Sequence, residues 1–284
     1  VYNGIPVVDV HIHAARRSTL RIPRDLWALG LRPPSPFDDL YDDDGVLKPD
    51  VFDAHLEAEG IDVALLMCEY SPRVTGIQPI EDNLALVAHN RRRFRLFAAI
   101  NPHYHFPVDE ELERQLDLGA VALKIHPVHA GCLPSDPALF PAYEVCQRRG
   151  IPVVVHCGTS IFPGALNRYA DPVHVDEMSQ YFPGVQWVLA HGGRGWWYDA
   201  AAFVVQARSN VWLELSGLPP KRLPEYYARH DLERLFAKAI FGSDWPGVPG
   251  FRRNVEGIAN LGLQDPTLER VLWRNANEVY RLGL

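Results

Sequence analysis

The stretch VVDVHIHAARR at residues 7–17 carries two imidazoles separated by one residue, His11 and His13. On an extended strand alternate side chains share a side, so both rings point one way while Ile12 points the other. At that spacing their Cα atoms lie about 6.5–7 Å apart, and both can reach one ion through bonds of about 2.0–2.1 Å. An H-x-H alone equally describes two polar residues where a strand leaves the core. Other residues able to bind a metal or move a proton end later apolar runs: Glu69, Lys124 with His126, His156, His191 and Asp244. Each has a purely structural explanation. His156 and His191 can cap backbone groups, Lys124 can pair with an acid, and Asp244 before Trp245-Pro246 can form a turn. Their recurrence at matching ends of separate runs is what chance does not supply. By contrast, His55, His89, His174 and His230 fall in helical or loop patterns and read as surface or capping residues.

The elements that must position these groups follow from the apolar pattern. Strands are expected at 6–13, 63–70, 94–101, 120–126, 152–157, 186–191, 211–216 and 239–244. Most are apolar almost throughout until their last residues, which is the pattern of strands buried on both faces of a parallel sheet. Helical spacing fills 80–92, 108–118, 137–149, 196–208, 221–236 and 265–281. In 108–118 the acids Asp109, Glu110 and Glu111 suit the helix start, Val108, Leu112 and Leu116 form the apolar stripe, and Gly119 is the stop. This alternation specifies the α/β class and, within it, a (β/α)8 TIM barrel as a single domain over 1–284. A doubly wound open sheet is the alternative, but no G-x-G-x-x-G phosphate loop occurs in the sequence. In a barrel the C-terminal strand ends meet around one mouth, so the metal site belongs there. The connection at about 14–50 breaks the short-loop pattern. It is a long first βα loop with four prolines between Pro23 and Pro36 and five aspartates from Asp38 to Asp44.

Composition narrows the class of partner. A formal charge of −7 disfavours nucleic acid and anionic membrane, which both require a basic face. No apolar run reaches membrane-spanning length, and the start lacks a basic-then-apolar leader pattern. Cys68, Cys132, Cys146 and Cys157 show no C-x-x-C spacing, and Cys68 and Cys157 lie in apolar runs as small buried thiols. A reducing, cytoplasmic location is expected.

Taken in order, DVHIH, LKIHP, VVVHCG, VLAHGGRGWW and FGSDWPG resemble the amidohydrolase superfamily. More narrowly they are similar to its second amidohydrolase-related family, TIM-barrel metal-dependent hydrolases and decarboxylases. The likeness runs from the first strand to LWRNANEVYRL near the end. It implies a first-strand metal pair at His11 and His13, a fifth-strand ligand at His156, a sixth-strand histidine at His191 and an eighth-strand aspartate at Asp244. Superfamily members vary at strand four. Dihydroorotase-like enzymes have a lysine there, carboxylated by carbon dioxide, that bridges two metals. Decarboxylases acting on aminocarboxymuconate semialdehyde or resorcylate generally lack it and use one metal. Lys124 in ALKIHP resembles that lysine. Carboxylated, it would bring in a second ion, with His191 as a ligand. As a plain ammonium it leaves one ion and frees His191 to polarise or protonate the substrate.

With His156 and Asp244 joining His11 and His13, the donors mix nitrogen and oxygen, which suits Zn²⁺ first and also Mn²⁺ or Fe²⁺. A bound Zn²⁺ lowers the pKa of water to about 7, and Asp244 is the natural acceptor for its proton. Arg16, Arg73 and Arg194 fall near strand ends, where a guanidinium can clamp a carboxylate in bidentate fashion. Trp196 and Trp245 could supply an aromatic wall, and His126 and His129 either contribute or shape their loop. The expected function is a metal-dependent hydrolase cleaving an amide, lactone or ester-like bond in a small anionic or aromatic substrate. The alternative is a metal-dependent non-oxidative decarboxylase, and a non-catalytic binding barrel comes third. The expected partner is a small molecule, with no nucleic acid and no membrane, and a homo-oligomer is compatible with this reading.

Overall fold

A computed structural model describes residues 1–19, 38–246 and 250–284. The proline-rich stretch 20–37 of the expected first loop lies outside the described residues. Eight parallel strands run β1 Val8–Ile12, β2 Val63–Leu66, β3 Phe94–Ala99, β4 Ala120–Ile125, β5 Val153–Gly158, β6 Trp187–Arg194, β7 Val211–Glu214 and β8 Ala239–Ile240. Their order in the sheet is their order in the chain. The sheet closes on itself through backbone bonds between β1 and the residues just past β8. Val10 N–H donates to Phe241 O at 3.3 Å, Asp244 N–H to His11 O at 2.9 Å, and His13 N–H to Trp245 O at 2.9 Å. The result is the expected TIM barrel.

Two strand ends differ from expectation. The ladder of β8 with β7 covers only Ala239 and Ile240, because the following residues leave β7 and pair with β1. Glu69 does not end β2, which stops at Leu66. It lies instead on a hairpin in which Glu69–Ser71 pairs with Gly76–Gln78.

The helices named here are α1 Pro49–Glu59, α2 Leu84–His89, α3 Val108–Asp117, α4 Phe140–Arg149, α5 Val173–Tyr181 and α6 Tyr198–Ala207. In α3 the acids occupy the first turn and Val108, Leu112 and Leu116 are buried, as the spacing predicts. The helix expected over 221–236 breaks into Leu223–Tyr226 and Leu232–Phe236. The second starts afresh at its own N-cap, where the Asp231 side chain accepts Arg234 N–H at 2.9 Å.

Alternation along the strands decides what reaches the mouth. Val8, Val10, Leu65, Phe97, Ala122, Val154, Val188, Ala190, Trp212 and Ile240 form one buried cluster inside the barrel, joined by Ala276, Val279 and Tyr280 of the C-terminal helix. Ile12, Leu66, Leu123, Val155, Leu189 and Leu213 belong to the larger cluster under the helices. Two residues beyond inward-facing Ala122, Val154 and Trp212 come Lys124, His156 and Glu214, all buried. His11 and His191 instead follow inward residues directly, which a regular strand forbids. A register irregularity between Asp9 and Ile12 in β1, and a left-handed backbone at His191 (φ 65°), accommodate them.

Asp9 ties the seam together. Its Oδ1 accepts His11 N–H at 3.0 Å and Ser243 N–H at 2.9 Å, and the residue is fully buried. Burial pushes its carboxyl up to about 7, against the lowering effect of the bonds from Ser243 and His11. The native state therefore holds a proton that the unfolded chain has already released between roughly pH 4 and pH 7. Stability from this group is present below the unfolded pKa and is lost as pH rises through about 7. Asp9→Asn keeps an oxygen for both amides and removes the charge. Urea unfolding at pH 4.5 and pH 7 should show wild type losing about 3 kcal/mol more than Asp9→Asn across that window. Equal losses in the two proteins would contradict the assignment.

Candidate metal centre at the barrel mouth

The seam that closes the barrel also sets His11, His13 and Asp244 side by side. Asp244 has a left-handed backbone (φ 65°), as does His191, a conformation that costs a non-glycine residue about 1–2 kcal/mol. Its amide bond to His11 O helps to hold it there. The Asp244 carboxylate faces two ways. Oδ1 lies 3.5 Å from Nε2 of His11 and 3.5 Å from Nε2 of His13. Oδ2 lies 3.6 Å from Nη1 of Arg194 and 3.8 Å from Nδ1 of His191.

Behind this carboxylate stands a supporting layer. His11 Nδ1–H donates to Glu214 Oε2 at 2.9 Å, and Ser216 N–H donates to Glu214 Oε1 at 2.8 Å. The Ser216 hydroxyl lies 3.0 Å from Nδ1 of both His11 and His191. Because a carboxylate only accepts, the bond to Glu214 leaves the lone pair of His11 on Nε2, facing Asp244 Oδ1. A lone pair and an anionic oxygen facing each other repel unless a cation lies between them. The donor set therefore fits a divalent cation, with Glu214 orienting one ligand from behind.

The electrostatics agree. Burial lowers the His11 imidazole, and the nearby Lys124 charge adds to that. Burial also holds His156 and His191 well below the usual imidazole value, with His191 and Arg194 as their next-largest neighbours respectively. Neutral rings of this kind are ready ligands. Burial alone would raise the Asp244 carboxyl, but His13, His11 and Arg194 overturn that and hold it well below the ordinary carboxylate range. Lys124 is fully buried, and its Nζ has no hydrogen-bond partner. Burial brings it down to about 8 despite the opposing charges of Glu214, Asp244 and Glu69. That lowering enlarges the share of free amine, the form that reacts with carbon dioxide, although the ammonium remains the larger share at pH 7.

The family model described as amidohydrolase matches residues 8–282. The chain belongs to the amidohydrolase family. No curated protein matches its sequence. Among solved structures, this amidohydrolase-family barrel is similar to an uncharacterized TIM-barrel protein from Bordetella bronchiseptica, with 20% identity and a TM-score of 0.79 over 98% of this chain and 99% of that one. It is similar to a dihydroxybenzoic acid decarboxylase from a Polaromonas species, holding manganese and the inhibitor 2-nitroresorcinol, with 16% identity and a TM-score of 0.69 over 99% and 98% of the two chains. A 5-carboxyvanillate decarboxylase from Sphingomonas paucimobilis matches with 16% identity and a TM-score of 0.66 over 98% and 99%. At these identities the likeness establishes the fold. No helix among the described residues is long and apolar enough to cross a membrane.

In this amidohydrolase-family mouth His11, His191 and Asp244 offer ligand atoms that all lie within 4.8 Å of one another. His13 faces the same carboxylate, and the His156 ring lies 4.4 Å from that of His191, its Nε2 bonded to Gly158 O at 3.1 Å. Arg194 is positioned by Thr159 O, which accepts from Nε at 3.1 Å and from Nη2 at 3.0 Å. Other expected substrate residues stand elsewhere. Arg16 is half-exposed and pairs with Asp82 at 2.9 Å, a solvent-screened surface contact. Arg73 stands exposed in the hairpin turn. Trp245 is fully buried against Phe52 (ring centroids 5.2 Å) and Phe251 (6.0 Å), a core anchor in place of the expected wall. Trp196 is 70% exposed with its ring against Trp197, too open to enclose a substrate in this arrangement. His126 and His129 are buried around Glu69, with His129 Nδ1 2.6 Å from Oε1 and His126 Nε2 3.6 Å from Oε2. Glu214 and Ser216 carry no expectation from the sequence, although the inward alternation through Trp212 points to Glu214.

If Glu214 orients His11 toward an ion, Glu214→Gln should weaken Mn²⁺ or Zn²⁺ binding about 10–100-fold in a chelator-competition titration, with the far-UV spectrum unchanged. Wild-type affinity in a folded variant would contradict that role.

Proposed function

We propose that this chain is a metal-dependent non-oxidative decarboxylase of a small carboxylic acid, aromatic and hydroxylated in the favoured case. The observation that carries the reading is the division of the Asp244 carboxylate, with the H-x-H pair on one oxygen and Arg194 with His191 on the other. The first side is the metal side, where His11, His13 and Asp244 would hold the ion, with His156, its ring 4.4 Å from that of His191, as the further donor the resemblance implies. The second is the substrate side. A divalent ion here would draw a substrate's carboxylate and adjacent oxygen and accept charge as the carbon–carbon bond breaks.

The chain's own residues do the rest. Arg194 has Nε and Nη2 committed to Thr159 O, which fixes the plane of its guanidinium and leaves Nη1 on the Oδ2 side for a substrate anion. His191 gives its Nδ1–H to Ser216 O, which leaves Nε2 as the atom that takes up a proton from solvent and passes it to the vacated carbon. The balance is R–COO⁻ + H⁺ → R–H + CO₂. Burial of His156, His191 and Glu214 keeps bulk water from competing for that carbanion. The similar manganese-holding dihydroxybenzoic acid decarboxylase supports both the reaction class and Mn²⁺ as the ion, with Zn²⁺ and Fe²⁺ compatible with the same donors.

Lys124 favours a second reading. Its buried amine without a partner, facing Glu214 and Asp244, is suited to carboxylation, and a second ion would then favour hydrolysis of an amide or lactone.

A panel of hydroxybenzoates incubated with Mn²⁺-loaded protein in D₂O separates the two. Decarboxylation predicts one CO₂ released per turnover, deuterium at the vacated carbon, loss of activity with chelator, and a fall in kcat/KM of at least about 100-fold in Arg194→Lys. Hydrolysis of an amide or lactone with no CO₂ released from any acid would overturn the proposal in favour of the second reading.

A further inference from the structure

The barrel mouth is roofed on one half only. The hairpin after β2 reaches across to the loop after β5, where a Cβ added at Gly164 would lie 3.3 Å from Arg73 O of the hairpin turn. Beneath that roof Glu69, His126, His129, His156 and Ser160 are all buried. The other half is open. The side chains of His13, Asp244 and Arg194 are 20%, 22% and 27% exposed, so a small molecule reaches the centre beside them. The sheet order places β7 between Arg194 on β6 and Asp244 after β8. The residue that stands there is Gly217, three past the end of β7.

Gly217 meets both groups. A Cβ added to it would lie 2.5 Å from Arg194 Nη1 and 2.5 Å from Asp244 Oδ2, about an ångström inside ordinary contact. Those two atoms are 3.6 Å apart, beyond a hydrogen bond, so bare backbone lines the gap between guanidinium and carboxylate. Neither group steps aside freely. Arg194 is held by Thr159 O through Nε and Nη2, and the Asp244 carboxylate is turned toward His11 and His13 on its other oxygen. Backbone conformation alone does not explain the glycine. Gly217 has φ 64°, yet His191 and Asp244 adopt φ 65° in the same mouth with full side chains. What a side chain at 217 would remove is the clearance.

Resting on the reading of the Oδ2 side as the substrate side, we propose that Gly217 determines specificity, selecting acids whose carboxylate is attached to a planar, conjugated carbon. Its bare backbone is a floor on which a flat acid lies while its carboxylate reaches Arg194 Nη1. An acid with a tetrahedral carbon next to the carboxylate carries atoms out of that plane. Those atoms meet the floor and lift the carboxylate off Nη1. Charge does not make this distinction, because both acids present the same anion.

Titration calorimetry of Mn²⁺-loaded protein with 2-hydroxybenzoate and its saturated counterpart, cis-2-hydroxycyclohexanecarboxylate, reads the binding, with CO₂ measured in parallel. Wild type should prefer the planar acid at least about 10-fold, and Gly217→Ala should remove most of that preference by weakening the planar acid. Asparagine adopts left-handed φ readily but carries a Cβ, so Gly217→Asn should lose the planar acid as well. Mn²⁺ affinity by chelator competition should stay at the wild-type value in both variants. Equal affinity of wild type for the two acids overturns the proposal without reference to any variant. So does wild-type binding in Gly217→Asn, which would assign the glycine to its torsion alone, or a loss of Mn²⁺ affinity that matches the loss of acid binding. A planar preference with no CO₂ released would sink the decarboxylase reading and leave this inference standing; CO₂ released with equal affinity for the two acids would do the reverse.

Discussion

The closure of the barrel between β1 and the segment after β8 is the constraint on which the site depends. The same few backbone bonds that join the first strand to the last, from Asp244 N–H to His11 O and from His13 N–H to Trp245 O, bring residues more than two hundred positions apart into one cluster. Asp9 locks that seam from inside by accepting amides from both sides. The seam is irregular where it matters. A shift in β1 and left-handed backbones at His191 and Asp244 turn side chains toward the mouth that regular strands would send elsewhere. Strain held by hydrogen bonds at a site is the usual mark of a function selected over stability.

Burial then sets the chemistry. The imidazoles of His11, His156 and His191 are held neutral, Glu214 orients His11 from behind, and Lys124 lies buried without a hydrogen-bond partner. Around them Asp244 stays ionised. Neutral nitrogen donors arranged about a persistent anion suit a cation, and in the proposed function the two oxygens of Asp244 divide that cation's side from the side where Arg194 and His191 would meet an acid.

Much of the architecture was legible before any coordinates. Strands buried on both faces leave unbroken apolar runs, so all eight were readable from the sequence. The switch of partner after Ile240 was not, because it depends on where β1 lies. His11, His13, His191, Arg194 and Asp244 could be read because they end or closely follow strands, and in a barrel such positions converge. Glu214 was hidden because nothing in VWLELS says that Trp212 faces inward, and only that places Glu214 two residues on at the mouth. Trp245 shows the reverse error. Its place next to Asp244 suggested the mouth, yet it turns away from the centre to meet Phe52 and Phe251 under the helices. Arg16 follows a strand end, but the direction of a loop is not written in its first residues, and a distant acid, Asp82, takes it to the surface.

The central claim is that one ion sits on the Oδ1 side of Asp244 while the Oδ2 side is left for substrate. A crystal structure of Mn²⁺-soaked protein, with anomalous differences collected at the manganese edge, tests it most directly. The account predicts a single peak within bonding distance of Asp244 Oδ1, His11 Nε2 and His13 Nε2, with Lys124 as an unmodified amine. Two peaks bridged by a carboxylated Lys124, or an ion on the Oδ2 side against Arg194, would contradict it.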